Sequence, residues 1–225
     1  MISVSQGDIL PDKVNITLLI SGLIGLCLGL LYARYQWIVE PAQILAGIVK
    51  YPPNNHFYIL TMKSWSTLNQ LSALLLYFGV SENVLSFLWS GIMGMVSFMA
   101  LSVGVLILSR RIVFSLLAGF FIFFIHGVWS QGINYPISLM GTEGPYTTLG
   151  LSFYFLVICL LSAGYYKSGG LLLGLAPAIH ATQGFWYTLA IVICIMWDFQ
   201  YHKDSLKRAV WYIILGYSIS AVSLI

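Results

Sequence analysis

Charge is what this chain has least of. Only 8% of its 225 residues are Asp, Glu, Lys or Arg, whereas the surface of a soluble domain holds roughly 25–35%. With 59% of the residues hydrophobic, that scarcity excludes a water-exposed globular fold, since no single soluble core hides so much apolar surface. Seven acidic residues stand against ten basic ones, a formal charge of +3, which is too small to specify a nucleic-acid partner. Cysteine is also rare. Cys27, Cys159 and Cys194 each lie inside a separate apolar run and form neither a disulfide framework nor a metal motif. The amino terminus lacks a basic n-region and a small-residue cleavage site, so the first apolar run is expected to remain as a transmembrane helix.

What the chain does have is hydrophobic length. Seven spans are predicted, at Val14–Tyr32, Val84–Leu108, Ile112–Ser130, Thr148–Tyr166, Gly169–Ile179, Thr182–Trp197 and Ala209–Ile225, giving an all-α polytopic transmembrane bundle. The apolar stretch from Gly169 to Trp197 would be about 44 Å long as one helix, against a bilayer core of about 30 Å. Either it breaks into a helical hairpin between Pro177 and Gly184, or it is one steep helix kinked at Pro177. Between the first two spans lies a mixed segment, Tyr35–Asn83, with the turn-rich run Tyr51-Pro52-Pro53-Asn54-Asn55-His56. After it, Ser64–Gly79 places Trp65, Leu68, Leu71, Leu75 and Phe78 at helical spacing beside Ser66, Thr67, Asn69, Gln70 and Ser72. This reads as a helix lying in the membrane interface, with a full span as the alternative.

Orientation follows from the basic residues. With Ser64–Gly79 interfacial and the amino terminus cytoplasmic, Lys13, Arg110, Arg111, Lys167, Lys203, Lys207 and Arg208 face inward, and Arg34, Lys50 and Lys63 face outward. If the segment spans instead, the split becomes nine to one with the amino terminus outside. Its length of about 24 Å and its polar first half favour the interfacial reading.

Against this apolar background lone polar residues stand out. Glu40, in Trp37-Ile38-Val39-Glu40-Pro41, sits at the edge of the first span, where a carboxylate is costly to keep and therefore a functional candidate. Pairing with Arg34 for topology is the competing explanation. Lys50, His56 and Lys63 share its external segment and can reach a phosphate headgroup, although lysine snorkelling to ordinary lipid accounts for them as well. Glu143 is the one acid of the second external loop, in Met140-Gly141-Thr142-Glu143-Gly144-Pro145, where glycines let backbone approach a ligand. It is a second carboxylate for Glu40 or an oxygen ligand for a divalent metal ion. His180 lies at the tip of the hairpin, on the same face as Glu40 and Glu143. His126 is expected to bond another helix and His202 to be solvated, while Trp37, Trp65, Trp129, Trp186 and Trp197 read as interface anchors.

Taken in order, these pieces resemble the amino-terminal module of the GT-C superfamily, the membrane glycosyltransferases that use polyprenyl-phosphate sugar donors and include the protein O-mannosyltransferases. The resemblance runs through Glu40-Pro41 and Tyr51-Pro52-Pro53, then the small-residue helix Leu85-Ser86-Phe87-Leu88-Trp89-Ser90-Gly91-Ile92-Met93-Gly94 ending in Ser109-Arg110-Arg111, and finally Lys167-Ser168-Gly169-Gly170-Leu171-Leu172-Leu173-Gly174. Where the family usually has aspartate, this chain has Glu40. The resemblance implies sugar transfer at the non-cytoplasmic face, with Glu40 as catalytic base, Glu143 as its companion, and Lys50, His56, Lys63 and His180 as substrate-binding groups. It also implies a module of a longer fold, or one completed by a second membrane subunit. The rival readings are a transporter or flippase-like subunit, suggested by the broken helix, and a non-catalytic assembly protein.

Overall fold

The computed structural model describes residues 11–31, 33, 39–63, 66–129 and 146–222. Among them the fold is entirely helical, with ten helices: α1 (Pro11–Leu31), α2 (Val39–Leu45), α3 (His56–Lys63), α4 (Thr67–Tyr77), α5 (Glu82–Ser109), α6 (Ile112–Trp129), α7 (Tyr146–Ser162), α8 (Tyr166–Ile179), α9 (Ala181–Trp197) and α10 (Phe199–Val222). Two of these, α1 and α5, are long and apolar enough to cross a membrane; stretches of α6, α7 and α9 are apolar but shorter.

The closest packing is where side chains are smallest. Along α1, Thr17, Ser21, Gly25 and Gly29 recur every fourth residue and are all buried, which puts them on one stripe. The facing stripe of α5 holds Ser86, Ser90 and Gly94. A Cβ built on Gly94 would stand 2.9 Å from the Gly29 Cα, and one on Gly25 would stand 2.6 Å from the Phe98 Cβ. Gly22 faces Met99 while Gly29 faces Ser90 and Gly91, so the two helices run antiparallel.

The remaining directions follow from side-chain bridges. Arg110, in the left-handed conformation at φ 57°, closes a tight turn into α6, which returns along α5 with Ser115 Oγ donating to the Ser102 carbonyl at 2.7 Å. Parallel to α5 runs α7, joined to it by the Ser97–Ser152 hydroxyl pair at 2.8 Å. Next, α8 comes back along α7, with Gly169 against Leu161. A second close seam joins α8 to α10: Gly170 meets Ala209, and a Cβ on Gly174 would lie 2.8 Å from the Gly216 Cα, so these two helices are parallel. Here Ser220 Oγ donates to the Gly174 carbonyl at 2.7 Å. Helix α9 folds back over the outside of the pair, with Gly184 against Pro177.

Direction therefore alternates from α1 through α5, α6, α7, α8, α9 and α10. One end of the bundle gathers the start of α1, Arg110 and the α7–α8 turn, where the Tyr165 hydroxyl donates to the Pro11 carbonyl at 2.8 Å. Helices α2 to α4 and the α8–α9 tip occupy the other.

The long apolar stretch breaks at His180, inside the expected hairpin turn, while Pro177 lies within α8. Other boundaries shift. The last helix begins at Phe199, ten residues before the expected span. The mixed segment holds α2 and α3 ahead of α4, because Asn55 Oδ1 accepts from the Phe57 and Tyr58 N–H groups at 2.8 and 3.2 Å and starts α3 as an N-cap.

The glycine seams set a clear expectation. Gly94→Leu forces its side chain into the Gly25 and Gly29 backbone, which has no rotamer with which to yield, and should cost about 1–3 kcal/mol. Thermal unfolding in detergent should register the loss, whereas Phe87→Leu on the exposed face of α5 should leave the midpoint unchanged.

Candidate functional site

The second end of the bundle gathers the polar groups that hydrophobic packing alone does not explain. Helix α4 is amphipathic in an inverted sense. Ser66, Asn69 and Ser72, three residues apart, are buried, while Leu71, Leu74, Tyr77 and Phe78 on the other side are exposed. In an apolar surrounding, a polar stripe is satisfied only by turning inward. Ser72 Oγ accepts from Trp89 Nε1 of α5 at 2.8 Å, and Ser66 Oγ donates to the Ile179 carbonyl at the end of α8 at 3.3 Å. Of the segment Ser64–Gly79, Thr67–Tyr77 is helical, with its polar residues against protein.

That contact with Ile179 brings α4 to the α8–α9 break. His180 interrupts the helix with φ −152° and ψ 101°, and its Nδ1 accepts from the Gln183 N–H at 3.4 Å as the N-cap of α9. Pro177, lacking an N–H, deprives the Leu173 carbonyl of its usual helical donor one turn earlier. From α7 the Tyr154 hydroxyl reaches both the Ala176 and the His180 carbonyls, at 2.9 and 3.0 Å, and its ring stacks on Tyr187 of α9 at 4.6 Å. Both carbonyls already accept a backbone N–H, from His180 and Gly184 respectively, so the Tyr154 hydroxyl adds a second donor that ties α7 to the α8–α9 junction.

Among the described residues, buried side-chain oxygens without a hydrogen-bond partner include Thr67 Oγ1 and Asn69 Oδ1 of α4 and Gln183 Oε1 of α9, besides Thr17 Oγ1 of α1 and Ser86 Oγ and Ser102 Oγ of α5. Asn69 is only 4% exposed. Gln183 Oε1 lies against Gly150 of α7, where any Cβ would collide with it. A buried unpaired acceptor costs about 1–3 kcal/mol; α4 packs on α8 but not on α9, so these are separate polar positions and not one pocket. Between α9 and the α8–α10 pair, a separate cavity of about 410 Å³ is lined by Pro177, Ala181, Phe185, Thr188, Leu189, Val192 and Tyr217. Its wall is apolar apart from the Thr188–Tyr217 hydroxyl pair at 2.7 Å.

The other candidates fall elsewhere at the same end. Glu40 is exposed in the first turn of α2, whose buried residues Val39, Ala42 and Ile44 pack it chiefly on α4. Among the described residues α2 does not touch α8 or α9, so α4 stands between Glu40 and His180. Lys50, His56 and Lys63 are exposed on the α2–α3 connection and α3, which packs on α2. The structure therefore groups Glu40, Lys50, His56 and Lys63 in one surface layer and sets His180 apart from them at the α8–α9 break. Glu143, Arg34, Trp37 and Trp65 lie outside the described residues, as does the side chain of His126. No cluster of three or more His, Cys, Asp or Glu residues able to hold a metal ion occurs among the described residues.

Reading the sequence missed Thr67, Asn69, Gln183 and Tyr154 as site residues. The signal was the spacing of Ser66, Asn69 and Ser72, a polar stripe that an apolar environment turns toward protein.

Burial lowers the pKa of His180, with its backbone hydrogen bond opposing the shift. A depressed histidine keeps the fold at full stability above about pH 6.5 and withdraws stability as pH falls below that value toward the folded pKa. Protonation also removes the Nδ1 lone pair that caps α9. Melting temperature in detergent should therefore drop between pH 7.5 and 5.5, and drop less in His180→Asn, which keeps a capping oxygen without a titrating ring.

No family model, curated protein or solved structure matches this chain.

Proposed function

We propose that this chain is a multi-pass membrane protein with a cytoplasmic amino terminus, working at its outer end as a GT-C-like glycosyltransferase on a polyprenyl-phosphate-linked sugar. Three features support the membrane reading. The seven longest helices alternate in direction. Large apolar side chains such as Leu19, Leu23, Phe121, Phe185 and Ile219 are exposed along their flanks. The described charged residues fall at the two ends, with Lys13, Arg110, Arg111, Lys167, Lys203, Lys207 and Arg208 at one and Lys50 and Lys63 at the other. That bias is the one the positive-inside rule associates with a cytoplasmic face.

The observation that carries the enzymatic reading is the surface layer of α2, α3 and their connection, which exposes Glu40 together with Lys50, His56 and Lys63. Sugar transfer would proceed as the acceptor oxygen bonds to the anomeric carbon, its proton passes to the Glu40 carboxylate, and the phosphate leaves with the electron pair of the broken bond. Lys50, His56 and Lys63, exposed in the layer that holds Glu40, would neutralise that phosphate. Glu143 remains a proposed companion carboxylate, and a divalent metal ion a proposed addition. A helix interrupted beside unpaired polar groups is also the arrangement of transporter substrate sites, so transport is the second reading.

Two measurements test these proposals. In intact cells, an impermeant thiol reagent should label Lys50→Cys and should label Lys207→Cys only after permeabilisation; the reverse pattern ends the stated orientation. With a polyprenyl-phosphate-linked sugar as donor, Glu40→Gln should slow transfer about 10²–10⁴-fold while donor binding persists, and Lys50→Gln with Lys63→Gln should weaken binding. Sugar flux across liposomes that survives Glu40→Gln would favour the transporter.

A further inference from the structure

The opposite end of the molecule carries a feature that the proposed transfer chemistry does not use. Because α8 and α10 are parallel and meet at Gly170 and Ala209, the first turn of α8 lies beside the middle of α10. The Lys167 ammonium group there stands 6.0 Å from the centre of the Tyr212 ring, and Arg208 lies one helical turn before Tyr212 on the same face. Lys203 and Lys207 continue the basic series down α10, and all four cations are exposed or half-buried at the surface. Among the described residues three carboxylates are at this end: Asp12 of α1, near the Tyr165 hydroxyl, and two on or beside α10. Asp204 pairs with Lys207 at 3.8 Å on an open surface, where such a pair is weak; Asp198 accepts from the Tyr201 N–H at 3.3 Å as a helix cap. Lys167 and Arg208 are in neither contact.

Beyond these cations α10 turns outward and apolar. Trp211 is 74% exposed, and Leu215 and Ile219 about half exposed. They continue from Arg208 at intervals of three and four residues, a stripe about 17 Å long at 1.5 Å per residue. A cationic patch that runs into an outward apolar stripe has the charge pattern of an anionic amphiphile. A free phosphate would not use the stripe, and an acidic protein surface would not fit beside it.

We infer that Lys167 and Arg208, at the seam of α8 and α10, bind the phosphate headgroup of an anionic membrane lipid whose chain lies along Trp211, Leu215 and Ile219. This rests on the membrane reading above and is independent of sugar transfer. Each cation near an anionic lipid surface is worth roughly a fivefold change in affinity.

The test is native mass spectrometry of the detergent-purified protein with phosphatidylglycerol or phosphatidylcholine added. The protein should retain phosphatidylglycerol at clearly lower concentrations, and Lys167→Gln with Arg208→Gln should reduce that preference roughly 25-fold. Arg208→Lys should preserve it, and so should Lys13→Gln with Arg111→Gln, at the same end but on α1 and at the start of α6, helices that among the described residues do not touch α8 or α10. The double variant should melt as the parent does in phosphatidylcholine micelles, which separates lost binding from lost folding. Equal retention of the two lipids by the parent, undiminished preference in the double variant, or an equal loss on changing Lys13 and Arg111 would each overturn the inference. Thiol labelling at Lys50→Cys and Lys207→Cys reports separately on the membrane reading itself.

Discussion

Contact of backbone against backbone at Gly25, Gly29, Gly91 and Gly94, repeated at Gly170, Gly174 and Gly216, is the constraint from which the other distances in this bundle follow. When both flanks of a helix are apolar, burying one more leucine against protein gains little over leaving it in lipid, so close van der Waals approach and interhelical hydrogen bonds hold the helices instead. The first seam fixes α1 on α5, and α5 in turn supports α6 and α7. The second fixes α10 on α8. The Tyr165 hydroxyl, bonded to the Pro11 carbonyl and to Asn15 Oδ1, and Tyr154 at the opposite end tie the two halves together.

Hydroxyl groups supply the directional part of the packing. Ser97 with Ser152, Ser115 with the Ser102 carbonyl, Ser220 with the Gly174 carbonyl and Thr188 with Tyr217 each join two helices. Against this background Thr17, Thr67, Asn69, Ser86, Ser102 and Gln183 each hold a buried side-chain oxygen with no such partner among the described residues. Gln183 stands apart among them because it lies in the first turn of α9, beside the place where the long apolar stretch is interrupted. The inverted amphipathicity of α4 follows the pattern of the bonded hydroxyls: the stripe of Ser66, Asn69 and Ser72 turns inward, where Trp89 and the Ile179 carbonyl bond two of its members, and Leu71 and Leu74 turn out.

Much of the helical architecture was legible in the residues, because period and run length carry through to structure. The spans expected at Val14–Tyr32 and Val84–Leu108 correspond to α1 and α5. The choice between a kinked helix and a hairpin resolved to a hairpin, with its break between Ile179 and Ala181. Pro177 does not make that break, since a proline only weakens one backbone bond, whereas His180 supplies a side-chain acceptor that caps a new helix. The start of α10 was misplaced because Phe199–Arg208 is too polar for a hydropathy reading, yet it continues the helix without proline or glycine. Within the candidate site, His180 was visible as a lone polar residue. Asn69 and Thr67 were not, since polar residues in an interfacial helix are ordinarily read as facing water. Glu40 falls at the same end of the bundle as His180, but whether the two share a pocket depends on the path of α4, and no local pattern of residues encodes that path.

Helix α9 is lightly seated. Only Gly184 of its residues is buried, and its attachments are Pro177 behind that glycine, Tyr187 on Tyr154, Thr188 on Tyr217, and Ile191 against the core. Its other side chains face mostly outward. The helix therefore rests on the bundle along a narrow ridge and not a broad face. The apolar cavity between it and the α8–α10 pair is screened from the flank by one layer of side chains, and no glycine of either seam is among its lining residues.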